Sequence, residues 1–159
     1  MKNWILLAAV WMTGASLAPQ TPVSPWAEPH GAFFALSVPD ADATAAWYQK
    51  QLGFRVISEG EAPDAIARGI LLEGHGSLLE IVQHSKAKPL KTVLPHGEAH
   101  QIHGIFKIGF HVRDIDSAYK TMTASGAEVI YKLAVAHEMG LRSFTIHDHD
   151  GNLLQFFGK

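Results

Sequence analysis

The chain has 159 residues, enough for one domain with a proper core and too few for two ordinary ones. A hydrophobic fraction of 47%, a charged fraction of 18% and a formal net charge of −2 are those of a soluble globular protein; they give no electrostatic basis for binding nucleic acid or an anionic membrane. The absence of cysteine excludes disulfides, a thiol nucleophile and a lipid-modified cysteine anchor, whereas ten histidines leave metal ligation and proton transfer open.

Residues 1–18 carry the pattern of a secretory signal peptide. Lys2 supplies a positive start, Trp4 to Met12 an apolar run too short to span a membrane, and Ser16-Leu17-Ala18 the small residues that signal peptidase reads. The competing reading is an uncleaved N-terminal anchor. Residues 19–31, with Pro19, Pro22, Pro25 and Pro29, predict an extended tether. Export to a bacterial periplasm or beyond is expected, with no other membrane association.

Phe33 to Val38 alternates as a half-buried strand, and Asp40 is placed to cap a helix over Ala41 to Leu52. Ala43, Ala46, Trp47 and Lys50 fall on or near one stripe of that helix, and Gly53 ends it. Phe54 to Ile57 predicts a second strand and Glu59 to Asp64 a polar loop. Ile70 to Glu73 and Leu78 to Gln83 then form a hairpin across His75-Gly76. Residues 85–106 are a connector rich in lysine, proline and histidine, with His96, His100 and His103 in it.

The same order then recurs. Lys107 to Val112 is a strand, Asp114 a cap, and Ile115, Ala118, Tyr119 and Met122 an amphipathic stripe that Gly126 stops. Strands over about Glu128–Ala136, Leu141–His147 and Leu153–Phe157 complete it. Val38 matches Val112, Gly53 matches Gly126 and Glu80 matches Gln155, at a spacing of 73 to 75 residues. Residues 33–84 and 107–158 are therefore two tandem βαβββ repeats. The expected fold is α+β: a curved eight-stranded sheet shaped as a cup, helices outside, with its hollow as the ligand site.

These motifs resemble a known family. Val38-Pro39-Asp40, Trp47-Tyr48 and Leu52-Gly53-Phe54 in the first repeat, with Asp114 to Ala118, Ser125-Gly126-Ala127 and Asp148 to Leu154 in the second, resemble the vicinal oxygen chelate superfamily over residues 32–158. That superfamily includes glyoxalases, extradiol dioxygenases and bleomycin-resistance proteins. The resemblance implies a divalent metal (Zn, Fe, Ni or Mn) held by four side chains, at the start of each first strand and the middle of each last strand. Here those places carry Phe33, Glu80, Lys107 and Gln155. Phenylalanine cannot ligate and a lysine ammonium has no lone pair to give, so the family site is degraded. His111, two along from Gly109, shares a face with Lys107 and offers a displaced set of Glu80, His111 and Gln155. The resemblance also implies a homodimer.

Two functions stay open. In the first, a metal-free cup holds a small aromatic or amphipathic molecule, with Phe33 on its floor and Lys107, His111, Arg142 and Gln155 as polar contacts. In the second, a lyase, isomerase or dioxygenase uses an altered metal site built on Glu80. Glu80 and Lys107 are either an ion pair that steadies the emptied site or catalytic partners, a base for an acidic C–H and a cation for the resulting anion. Arg142 is either a carboxylate-binding residue or a plain surface arginine, and His147 and His149 are assigned to a solvated rim.

Overall fold

A computed structural model describes residues 31–93, 103–136 and 140–159 of the chain. The expected signal segment and most of the tether (residues 1–30), and His96 and His100 of the connector, lie outside the described residues. The first repeat runs β1 (Phe33–Val38), α1 (Ala41–Leu52), β2 (Arg55–Glu61), β3 (Ala67–Gly74) and β4 (Ser77–His84). A short helix α2 (Leu90–Val93) lies in the connector. The second repeat runs β5 (Ile108–His111), α3 (Ile115–Ala124), β6 (Val129–Ala136), β7 (Leu141–His147) and β8 (Leu153–Gly158).

The two repeats are built alike. The Asp40 carboxylate accepts from the Ala43 N–H and that of Asp114 from the Ser117 N–H, each at 3.0 Å, so both helices start on an aspartate cap. Gly53 closes α1 in the left-handed conformation at φ 67°, its N–H reaching back to the Gln49 carbonyl. After α3, Ser125 is the cap and the left-handed Gly126 follows it.

The eight strands divide into two four-stranded sheets, ordered β1-β4-β3-β2 and β5-β8-β7-β6. In each, the first strand runs parallel to the last and the other neighbours are antiparallel. Ala35 faces Glu80 in one sheet as Gly109 faces Gln155 in the other, so the duplication holds to the single residue.

Two sequence expectations shift. The stripe α1 buries is Ala41, Thr44, Ala45, Tyr48 and Leu52, one residue round from the predicted one, because Tyr48 rather than Trp47 is the deep anchor. Strand β2 extends through Glu61, where a loop was expected to begin at Glu59. Across the ladder, Arg68 holds Glu59 at 2.9 Å and Glu61 at 3.7 Å, and these pairs keep a polar segment extended.

Each sheet turns one face to the helices, and those faces share one core. Leu36, Val38, Ile70, Leu72, Leu79 and Ile81 fill the first repeat's part, Phe144, Ile146, Leu154 and Phe156 the second's. Phe110 joins them: its ring lies 5.9 Å from that of Phe34 and 6.3 Å from that of Phe54, and stacks on Phe156.

A polar seam crosses the same boundary. The Tyr48 hydroxyl, on α1, donates to Asp148 at 2.9 Å. Asp148, buried after β7, also accepts from the backbone N–H groups of Asp150 and Asn152 and from the Asn152 amide. Burial, then the charge of Asp148, pushes the Tyr48 phenol far up from its ordinary value, so it stays a donor at any physiological pH. Beside it, the buried Thr44 hydroxyl lies 2.9 Å from the Asp40 carbonyl and 2.6 Å from the Asp150 carboxylate. A hydroxyl has one hydrogen, so Thr44 shares a single donor between the Asp40 carbonyl and the Asp150 carboxylate. Burial raises the Asp150 carboxyl above its ordinary value, outweighing the opposing hydrogen bond from Thr44.

The seam makes two predictions. Tyr48→Phe leaves the buried Asp148 short of one donor and should lower unfolding stability by about 2 kcal/mol, read as a lower urea midpoint at unchanged m-value. For Asp150, a folded-state pKa above the ordinary 3.8 means its stabilising contribution is present below that value and is lost as pH rises through the raised one. Asp150→Asn should therefore be more stable than the parent at neutral pH, with the advantage disappearing on acidification through the carboxylate range; urea melts across pH would show a parent at least as stable at pH 7 if this is wrong.

Candidate functional site

With one face of each sheet committed to the core, chemistry falls to the other. Paired residues share a face, so the ladder places Phe33 and Ala35 of β1, Leu78 and Glu80 of β4, Gly69 and Leu71 of β3, and Ser58 and Gly60 of β2 together on the helix-free side of the first sheet. Of these, Phe33, Ser58, Gly60, Gly69, Leu71 and Glu80 line an open hollow of about 390 Å³. Phe33 walls it with 61% of its surface exposed. A second hollow, about 220 Å³, adjoins at the strand ends by Gly31, Ser77 and Leu78, and shares Phe33. Glu80 is half-buried, and among the described residues its carboxylate makes no hydrogen bond and no ion pair.

The second sheet presents Gly109 and His111 of β5, Gln155 and Phe157 of β8, and Ser143 and Thr145 of β7 in the same way. His111 is exposed and shares the face of Gln155, as the strand period requires. The Gln155 amide donates to the Ser143 hydroxyl at 3.2 Å, while its Oε1 is buried with no partner among the described residues. Lys107 stands just before β5, exposed, with its ammonium 5.6 Å from the centre of the Phe106 ring.

The named residues therefore assemble as two groups. Phe33 and Glu80 belong to one face, Lys107, His111 and Gln155 to the other. Among the described residues no ion pair joins Glu80 to Lys107 and no hydrogen bond joins it to Gln155 or His111, because the repeats meet through their helix-facing sides. Arg142 belongs to neither group: both terminal guanidinium nitrogens donate to Asp116 at the start of α3, at 2.6 and 2.8 Å, and this pairing raises the guanidinium pKa further. His147 pairs with Glu128 at 3.1 Å and His149 is exposed.

Donor chemistry tests the family metal. Of its four positions, only Glu80 and Gln155 bear ligating oxygens, and they lie on separate faces of one chain. Among the described residues no group of three or more histidine, aspartate or glutamate side chains is gathered closely enough to hold an ion. Protein metal sites of this kind take three or more ligands, so the residues present within one chain do not fit the group.

Two features, one in the core seam and one in the site, were given no role from the sequence. Asp148 was passed over between two histidines, although an aspartate ahead of Asp-Gly-Asn is a signal for a carboxylate-centred turn. Gly60 and Gly69, directly opposite one another across β2 and β3, were separated by the predicted loop.

No curated protein matches the chain in sequence. Among solved structures, the protein SMU.1112c shares 25% identity at a TM-score of 0.66, covering 80% of this chain and 96% of that one. A glyoxalase family protein from Enterococcus faecalis shares 23% at 0.64, over 81% and 94%, and TioX from Micromonospora sp. ML1 shares 23% at 0.59, over 80% and 96%. A family model matches residues 32–156, nearly the whole of both repeats, and with the paired βαβββ units it shows that the chain belongs to the glyoxalase/bleomycin resistance protein/dioxygenase superfamily.

Proposed function

We propose that this protein is an exported binding protein of its superfamily, which holds a small aromatic or amphipathic molecule on the helix-free side of its sheets without a catalytic metal. The observation that carries this reading is Phe33. It stands where the resemblance calls for a metal ligand, and instead walls the larger hollow with an exposed ring. Lys107, at the matching place in the second repeat, replaces another ligand with a fixed positive charge. An exposed aromatic beside an unpaired carboxylate suits a ligand with an apolar body and a polar group. The exposed sheet residues Tyr131 and Val135 support a homodimer, an assembly in which these surfaces would be covered. Export rests on the pattern of residues 1–18.

One observation favours a metal-dependent lyase, isomerase or dioxygenase: the buried Gln155 Oε1 has no partner among the described residues and is a ligating oxygen. Such a site would need Glu80 brought to Gln155 and His111 from elsewhere, which a partner chain could do.

Metal content separates the two. Untagged protein starting at residue 19, incubated with Zn²⁺, Fe²⁺, Ni²⁺ and Mn²⁺ and desalted, should carry well under one equivalent of any of them by elemental mass spectrometry. About one equivalent per chain, lost in Glu80→Gln, would overturn the binding-protein reading.

A further inference from the structure

Five glycines stand inside described strands, and three have a steric reason. A Cβ at Gly74 would come within 2.9 Å of the Phe54 ring, one at Gly158 within 2.9 Å of the Val112 carbonyl, and one at Gly109 within 3.1 Å of Phe157. Gly60 and Gly69 have none. A Cβ at either would meet nothing within 4 Å, and neither residue takes a positive φ. Their backbone is ordinary strand, where glycine is among the weakest residues and a β-branched one among the strongest. The fold would be served by other residues at both positions. A glycine in a strand that packing and dihedral angles do not demand marks a place where another molecule approaches the backbone.

Their position says which molecule. Gly60 and Gly69 are cross-strand partners, so the two bare residues lie side by side and expose a flat patch of peptide planes. That patch is the floor of the larger hollow, with the Phe33 ring, Leu71 and Ser58 around it. A flat floor and an aromatic wall fit a planar, apolar ligand body. The charges are equally one-sided. Among the described residues no lysine, arginine or histidine lines the hollow, and its acidic residues are Glu59 and Glu80. Glu59 is already held by Arg68 at 2.9 Å; Glu80 has no partner among the described residues. The remaining charge is a single negative one, half-buried beside an aromatic face, an arrangement that recruits a cation through both a charge-assisted hydrogen bond and the ring quadrupole.

We infer that the first-repeat face binds a planar organic cation, its ring system laid flat over Gly60 and Gly69 against Phe33 and its positive group on Glu80. This rests on the reading of that face as a small-molecule site and adds to it the charge and shape of the ligand.

Three fused tricyclic probes test it on untagged full mature chain by fluorescence titration at mildly alkaline pH: proflavine as the cation, acridine as the neutral form and acridine-9-carboxylate as the anion. Proflavine should bind at least about tenfold tighter than the other two, and Glu80→Gln should bring it down to the level of acridine. Gly69→Val should weaken all three by about tenfold or more while leaving the melting temperature unchanged or higher, and Gly60→Thr should repeat this independently. Equal binding of all three probes, or a proflavine advantage that survives Glu80→Gln, would overturn the cation while leaving small-molecule binding in place. A lower melting temperature in both glycine variants would show that the fold needs them and overturn the floor. Failure of every probe to bind would overturn both the inference and the reading beneath it.

Discussion

The buried contact between Tyr48 and Asp148 is what the rest of the molecule depends on. Each βαβββ unit is a four-stranded sheet with one helix, and a lone helix covers too little of such a sheet to make a core. Tyr48 places α1 of the first repeat over the β7–β8 turn of the second, and Asp148 fixes that turn by accepting from Asp150 and Asn152 as well. One carboxylate thereby closes a turn and joins two sheets. The aromatic contacts of Phe110 with Phe34 and Phe54 then become interior to a single core. A buried polar group is costly unless fully satisfied, and here its four donors make the docking geometry specific where apolar packing alone would tolerate sliding.

This docking also decides what the molecule offers to solvent. Because the repeats join through their helix-facing sides, the opposite faces of both sheets stay open, and the duplicated positions on them have diverged. Glu80 faces Ala35 and Gln155 faces Gly109 in matching registers, yet one face has become acidic and aromatic and the other amide- and hydroxyl-bearing. Membership of the superfamily fixes the frame; the chemistry is set by which side chains were kept on it.

Much of the frame was legible from the sequence, since it is written in local signals. Asp40 and Asp114 cap helices because a carboxylate at that offset meets free N–H groups, and His75-Gly76 turns a hairpin because both residues take positive φ. What was not legible depended on partners far along the chain. Glu59 and Glu61 read as loop until Arg68 is set opposite them, and the buried stripe of α1 is chosen by Asp148 rather than by the helix's own weak periodicity. The position of Glu80 on a strand was readable; that Lys107 would lie on a different face was not, because it follows from how the repeats dock. The pairing of Gly60 with Gly69 needed the extended β2 before it could be seen.

The seam has a kinetic side as well. Tyr48 and Asp148 are 100 residues apart in sequence, and Thr44 and Asp150 are 106 apart, whereas the hairpins of each repeat close over a few residues. Loop closure on that scale is an entropic step that short-range contacts do not assist. Hairpins and helices can form early, but the first repeat waits with Tyr48 and Thr44 uncovered until the last turn of the chain arrives. Cooperative folding is thereby delayed until nearly the whole sequence is present, so a chain cut short before the β7–β8 turn has no route to a stable fragment through its first half.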